Sequence, residues 1–321
     1  MKSNSKQLGS FVNYTSSVSG KSRFKILPDS LHSVFIYNIS IKDYYVFRFF
    51  EKDQNERINW AGTGFMYEYQ LKMNPKSERI ILEDKIRFLR HFKPFVKREF
   101  KSFNELINLL YDVEKMLTNP TGRLVLKGAT GQIGKEVEVI NCNCFNSSTL
   151  LSYMKTNKYD IAEEFVVQHQ DLMALSPSGL NTVRIITQLQ DGTVNFLGAR
   201  LRITVNSAID NMAAGNLAAP VDLESGVVNG PGVYSDITKE DSPKHPVTGK
   251  NIIGFKIPYW KEVLELAQNA ALHTPGNRSV GWDIAITQEG PELIEGNHNW
   301  CKVLWQLPVK KGLKKELEKY L

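Results

Sequence analysis

Toward the end of this 321-residue chain, Asp283, Glu295 and Asn297 sit on two short alternating segments separated by Glu289-Gly290. Side chains alternate across a strand. A hairpin turning at Glu289-Gly290 therefore sets Asp283 roughly opposite Glu295, at the ~5 Å spacing of directly paired positions. The same alternation predicts Ile284 and Ile286 on the face away from Asp283, and Leu293 on the face of Glu295 and Asn297, with His298 opposite. Two carboxylates that close repel unless a proton or a cation lies between them. Oxygen-only donors, with an amide carbonyl two residues along, suit Mg²⁺ rather than Zn²⁺. Solvent-facing hairpin acids are the alternative. No His/Cys cluster competes for a metal, and Cys142, Cys144 and Cys301 read as free thiols.

A second stretch, Lys127-Gly-Ala-Thr-Gly-Gln-Ile-Gly-Lys135, invites a phosphate. Glycines let backbone amides approach an anion and lysines add charge. It is not a P-loop, which needs Gly at Ala129 and a hydroxyl at Glu136. It is not a dinucleotide fingerprint either, because an alternating strand rather than a helix follows. What remains is a strand–glycine loop–strand hairpin able to fold over a triphosphate, with an ordinary mobile hairpin as the alternative. Together with the acids it points to a nucleoside triphosphate and a divalent ion that neutralises charge during phosphoryl transfer.

The elements that must carry these residues can be read from periodicity. Residues 1–30, rich in Ser, Asn and Lys, read as a loosely ordered start punctuated by Pro28. The aromatics Tyr44, Tyr45, Phe47, Phe49 and Phe50 read as core. Helical spacing covers residues 82–92, 103–117 and 258–273. Strands are expected at 123–127, 135–140 and 160–167, and hairpins around Asp191-Gly192 and Glu289-Gly290. The fold class is α+β.

Composition sets the outer limits. Hydrophobic residues make up 42% and charged residues 23%, as in packed globular proteins, which excludes wholesale disorder and coiled coil. No apolar run suggests a membrane span, no secretory signal is evident, and three cysteines predict a reducing, cytoplasmic setting. The net charge of +6 favours anionic ligands without selecting one. Basic residues bunch at 85–101 and 310–319. Both bunches read as solvated helix faces, and no nucleic-acid partner is expected.

Seven ordered motifs then carry a resemblance: Glu163-Glu-Phe-Val-Val-Gln-His, Asn181-Thr-Val-Arg184, Asp210-Asn-Met-Ala-Ala-Gly215, Pro220-Val-Asp-Leu-Glu-Ser-Gly226, Ile257-Pro-Tyr-Trp260, Gly281-Trp-Asp283 and Ile294-Glu-Gly-Asn297. The chain resembles the ATP-grasp superfamily, and within it the sugar-transfer-associated family found with genes for surface polysaccharides. The resemblance implies two α+β subdomains gripping ATP after a short, mostly helical N-terminal region. The expected division is 1–81, 82–162 with the lid loop, and 163–321 with the Mg²⁺ site. It implies an ADP-forming ligase that activates a carboxylate as an acylphosphate and captures it with an amine. A phosphotransferase, or a nucleotide-binding accessory of a glycosyltransferase system, is the alternative. Both substrates are small molecules, sugar-linked or amino acids, and polysaccharide biosynthesis enzymes are the expected associates.

By motif, Lys127 and Lys85 correspond to phosphate-binding lysines, and Gly128, Gly131, Gln132, Gly134 and Lys135 to the lid loop. Glu163, Glu164, Phe165 and Val166 correspond to the hinge whose backbone pairs with adenine. Asp283, Glu295 and Asn297 correspond to the Mg²⁺ ligands. Arg184 and Arg202 are candidates to hold the γ-phosphate or a substrate carboxylate, and Asn181, Asp210, Asn211 and Gly215 to shape the acceptor side. His169 and His245 are possible bases. The chain departs from the family pattern after Asn297, where it reads His298-Asn-Trp-Cys-Lys302.

Overall fold

The computed structural model describes residues 5–130, 137–208 and 210–321. Two antiparallel sheets carry the candidate residues. The smaller has four strands in the order β1-β4-β2-β3: β1 Phe100–Ser102, β2 Arg123–Lys127, β3 Val137–Asn141 and β4 Ile161–Glu164. The larger has five in the order β7-β6-β5-β8-β9: β5 Thr182–Gln190, β6 Thr193–Ile203, β7 Leu217–Val221, β8 Ser279–Thr287 and β9 Gly290–Asn297.

The larger sheet is two-faced because its strands alternate. Val183, Ile185, Leu201, Ile203, Trp282, Ile284 and Leu293 join one hydrophobic cluster with Val263, Ala267, Ala270 and Ala271 of the helix Trp260–His273. Thr182, Arg184, Arg202 and Asp283 stand on the other face, along the cross-strand pairs Thr182↔Arg202 and Arg184↔Asp283. The β5–β6 hairpin closes at Asp191 and Gly192, both left-handed with φ of 50° and 76°, the backbone of the tight turn that Asp-Gly favours. The smaller sheet packs Leu124, Leu126, Ile140 and Ala162 against Leu106, Val113, Leu150 and Met154 of three helices.

The N-terminal stretch corrects the expectation of a loose start. It forms α1 (Ser5–Ser19) and α2 (Arg23–Tyr37). Pro28 lies inside α2 rather than ending a segment. Its missing N–H removes one intrahelical bond, and tertiary contacts hold the helix: Asp29 accepts from Arg57 at 2.7 and 2.9 Å and from the Tyr44 hydroxyl at 2.7 Å. Tyr44, Tyr45, Phe47, Phe49 and Phe50 are all buried, as the aromatic cluster predicted. The helix expected over 103–117 is two, Phe103–Asn108 and Leu110–Leu117, broken at Leu109. Among the described residues, no helix is long and apolar enough to cross a membrane.

Candidate functional site

The acids of the β8–β9 hairpin meet as the alternation predicts: Asp283 pairs with Glu295, and Gly281 with Asn297. Leu293 does not share their face. A bulge at Ile294 lets Leu293 pair with Ile284, so Leu293 joins the core while Glu295 and Asn297 turn to the polar side. A β-bulge resets the two-residue alternation, and nothing in the composition of the strand marks it.

Asp283 is buried and held by two arginines. Arg184 grips it through both carboxylate oxygens, Nε on Oδ1 and Nη2 on Oδ2 at 2.7 Å. Arg202 adds Nη1 on Oδ2 at 2.5 Å and reaches Asp210 Oδ1 with Nη2 at 2.7 Å. Burial alone would raise the Asp283 carboxyl, but the two guanidinium groups hold it far below the ordinary range. Glu295 goes the other way. It keeps a solvent-facing edge, yet crowding out of bulk water and the Asp283 charge push it up, against the pull of the arginines. Asn297 donates to Glu295 Oε1 at 3.1 Å. Burial also pushes Asp210 up; Arg202 opposes this and Asp283 adds to it.

The cluster therefore sets two guanidinium groups among three carboxyls: Arg184 and Arg202 hold Asp283, Arg202 also reaches Asp210, and Glu295 stands beside Asp283 with its pKa raised. A cation beside Glu295 and the Asn297 amide oxygen would offset the repulsion between the paired Asp283 and Glu295 carboxyls, so the donor set fits Mg²⁺. Among the described residues no group of three or more His, Cys, Asp or Glu side chains could hold a metal, so any ion here relies on two carboxylates and the amide.

The lysines stand at the mouth of the glycine loop. Lys127 ends β2, with Nζ 3.0 Å from Glu163 Oε1. Lys85 Nζ donates to the Gly128 carbonyl at 3.0 Å, and its N–H bonds the Ala129 carbonyl at 3.1 Å. Gly131, Gln132, Gly134 and Lys135 lie outside the described residues. Of the hinge, Glu164 accepts the Glu99 N–H at 3.0 Å, and Phe165 lies under the Arg123 guanidinium, 3.7 Å from ring to carbon. Val166 is half-buried. Glu163 does more than present its backbone. Its buried side chain takes Arg98 Nε at 2.5 Å on one oxygen and Lys127 on the other. Burial opposes ionisation there, but Arg98 and Lys127 lower its pKa to about 2.

Arg98 is the residue that pattern reading missed. It lies in the basic stretch expected to form a solvated face, where Arg87, Arg90, Lys93 and Lys97 are exposed, yet Arg98 is buried. Its Nη1 donates to the Leu293 carbonyl of β9 at 3.0 Å, while Glu292 accepts the Lys97 and Arg98 amides at 2.9 and 3.1 Å. One guanidinium thus joins β4 of the smaller sheet to β9 of the larger. Arg200, two residues from Arg202 on β6, shares its face by alternation. It stands beside Arg184 and donates to the carbonyls of Trp305 at 3.0 Å and Ala199 at 2.7 Å, and burial lowers its pKa to about 10.

Other candidates are occupied by the scaffold. Asn181 is buried, donating to Gln168 at 3.0 Å and the Ser176 carbonyl at 2.9 Å and accepting from the Thr204 N–H at 2.8 Å. Asp210 accepts the Thr182 amide at 3.0 Å besides Arg202. Asn211 caps the turn Met212–Ala214, which Gly215 closes. His169 Nδ1 accepts the Asp171 amide at 3.2 Å, and His245 Nε2 lies 2.8 Å from the Thr204 carbonyl.

A family model described as sugar-transfer associated ATP-grasp matches residues 65–320. No curated protein matches significantly. Among solved structures, the chain is similar to a carboxyaminoimidazole ribonucleotide synthase from Aspergillus clavatus complexed with ATP, at 14% identity and TM-score 0.44 over 70% of this chain and 47% of that one. It is also similar to an L-amino acid ligase from Bacillus licheniformis, at 13% and 0.40 over 80% and 51%. A third is the D-alanyl-alanine synthetase A of Vibrio cholerae, at 10% and 0.41 over 72% and 60%. The chain thus spans about half the length of these proteins. On the family match, covering most of its residues, the chain belongs to the sugar-transfer associated ATP-grasp family.

Proposed function

We propose that this protein is an ATP- and Mg²⁺-dependent, ADP-forming ligase that joins a carboxylate to an amine, on a sugar acid or amino acid destined for a surface polysaccharide. The observation that carries the reading is the meeting of Asp283, Glu295, Asn297, Arg184 and Arg202 on one face of the larger sheet. On this reading residues 82–162 bear the lid, 163–321 bear the metal ligands, and 1–81 form the entry region.

Lys85 and Lys127 bind phosphate oxygens, and the backbone of Glu163–Val166 pairs with adenine. Asp283, Glu295 and Asn297 would hold Mg²⁺, which when bound neutralises charge on the transferring phosphoryl group. Arg184 and Arg202 offer planar forks suited to a phosphate or a carboxylate. With nucleotide present they share Asp283 less and hold the γ-phosphoryl group in line with the attacking carboxylate, so most of the rate comes from positioning. A substrate carboxylate oxygen bonds to the γ-phosphorus as the bond to the ADP oxygen breaks. The amine nitrogen then bonds to the acyl carbon, phosphate leaves, and the amine proton passes to solvent.

The test is ADP release during a Mg²⁺ titration with candidate acids and amines. Glu295→Gln and Asn297→Ala should each lower turnover by at least about a hundredfold, with nucleotide binding followed by calorimetry. Full activity in both variants overturns the metal assignment. Product mass separates an amide from a phosphate ester, and nucleotide binding without turnover points to the accessory role.

A further inference from the structure

Helix α2 carries a second apolar stripe that the core does not use. Its buried positions are Ile26, Ser30 and Ser33, whereas Phe24 is 90% exposed, Phe35 82% and Ile36 61%, with Leu27 and Leu31 also exposed. Steps of three and four residues put Phe24, Leu27, Leu31 and Phe35 on one stripe, about 16 Å long at helical rise. The aromatic cluster that α2 packs against takes Ile26, Val34 and Tyr37 from the helix and leaves this stripe outside. An apolar stripe turned to water marks a contact surface.

The charges around the stripe identify what it meets. Residues 5–42 hold five basic side chains, Lys6, Lys21, Arg23, Lys25 and Lys42, and a single acid, Asp29. That acid is engaged inside the protein by Arg57 and Tyr44. Arg23 and Lys25 are exposed at the Phe24 end, one on each flank of the stripe, and His32 is exposed along it. A second copy of the helix would offer the same basic rim and no acid to meet it. A surface with an apolar interior under negative headgroups complements both features.

We propose that α2 is a docking helix for an anionic lipid surface. It lies in the plane of that surface, with Phe24, Leu27, Leu31 and Phe35 at the boundary of headgroups and acyl chains and with Arg23 and Lys25 against lipid phosphates. The stripe is remote in sequence from the ligase residues, and the inference stands without the proposed activity.

The test is flotation of the full chain with vesicles of phosphatidylcholine alone, or of phosphatidylcholine mixed with phosphatidylglycerol. The mixed vesicles should bind about tenfold more tightly, and added salt should remove the difference. The double variant Phe24→Ser/Phe35→Ser should lose binding to both. Because both side chains are exposed, its circular dichroism and melting should match those of the parent. Arg23→Gln with Lys25→Gln should abolish only the preference for the anionic lipid. Absence of vesicle binding, equal binding to both compositions, or a parent dimer that the double variant dissociates would each overturn the proposal.

Discussion

Glu163 and Asp283 solve the same problem in the same way: each is a buried carboxylate flanked by two cations. Removing one partner of such a cluster strands the others in a poor solvent. Glu163→Gln should therefore destabilise the protein by about 3–5 kcal/mol near neutral pH, measured by urea unfolding. The pH dependence has a definite sign. The folded pKa of Glu163 is about 2, below the ~4.3 of an unfolded glutamate. Its stabilisation, about 3 kcal/mol, is thus present above the unfolded value and is lost as pH falls from there toward 2. The gap between parent and variant should shrink over that interval, and a gap that stays constant would refute the assignment. The pairing of Asp283 with Glu295 could be read from alternation because both lie within one hairpin. Arg98 could not, because its partners Glu163 and Leu293 lie 65 and 195 residues further along.

Single elements show where local pattern was enough and where it failed. The Asp191-Gly192 turn was legible because its left-handed backbone needs those residue types. A Cβ at Gly192 would meet nothing within 4 Å, so Gly192→Ala should cost only the conformational penalty, about 1 kcal/mol. Gly296 differs: a Cβ there would lie 2.8 Å from Trp282 and 3.0 Å from Leu82. Gly296→Ala should cost more, about 1–3 kcal/mol through overpacking. Thermal melts of the two variants should rank them in that order. The bulge at Ile294 is invisible to alternation, because one unpaired residue resets the two-residue period without changing the residue types along the strand. The resemblance implied a mostly helical N-terminal region, as α1 and α2 show, whereas composition alone read residues 1–30 as loose because a serine-rich segment with a proline reads as loop until its contacts with Tyr44 and Arg57 are known.

At the scale of the molecule, alternation gave the α+β class, but the order of strands within each sheet depends on distant pairings. Nor does periodicity tell that the chain's two ends interlock. The Gln306 side chain accepts the Ala61 and Leu313 amides at 2.9 and 3.0 Å and donates to the Ala61 carbonyl at 3.1 Å. Lys302 Nζ lies 3.0 Å from Asp43, and Val303 and Leu307 pack against the aromatic cluster of Tyr44, Phe47 and Trp60. Gln306→Ala should cost about 1–3 kcal/mol, the price of leaving the Ala61 amide unsatisfied, with limited proteolysis opening first near residue 61. This interlock also orders events at the ribosome. Ala61 is made 245 residues before the side chain that ties it down. At ordinary elongation rates that wait lasts roughly ten to fifty seconds, during which the aromatic cluster is packed by the two N-terminal helices but still lacks the cover that Ile237, Val303 and Leu307 complete.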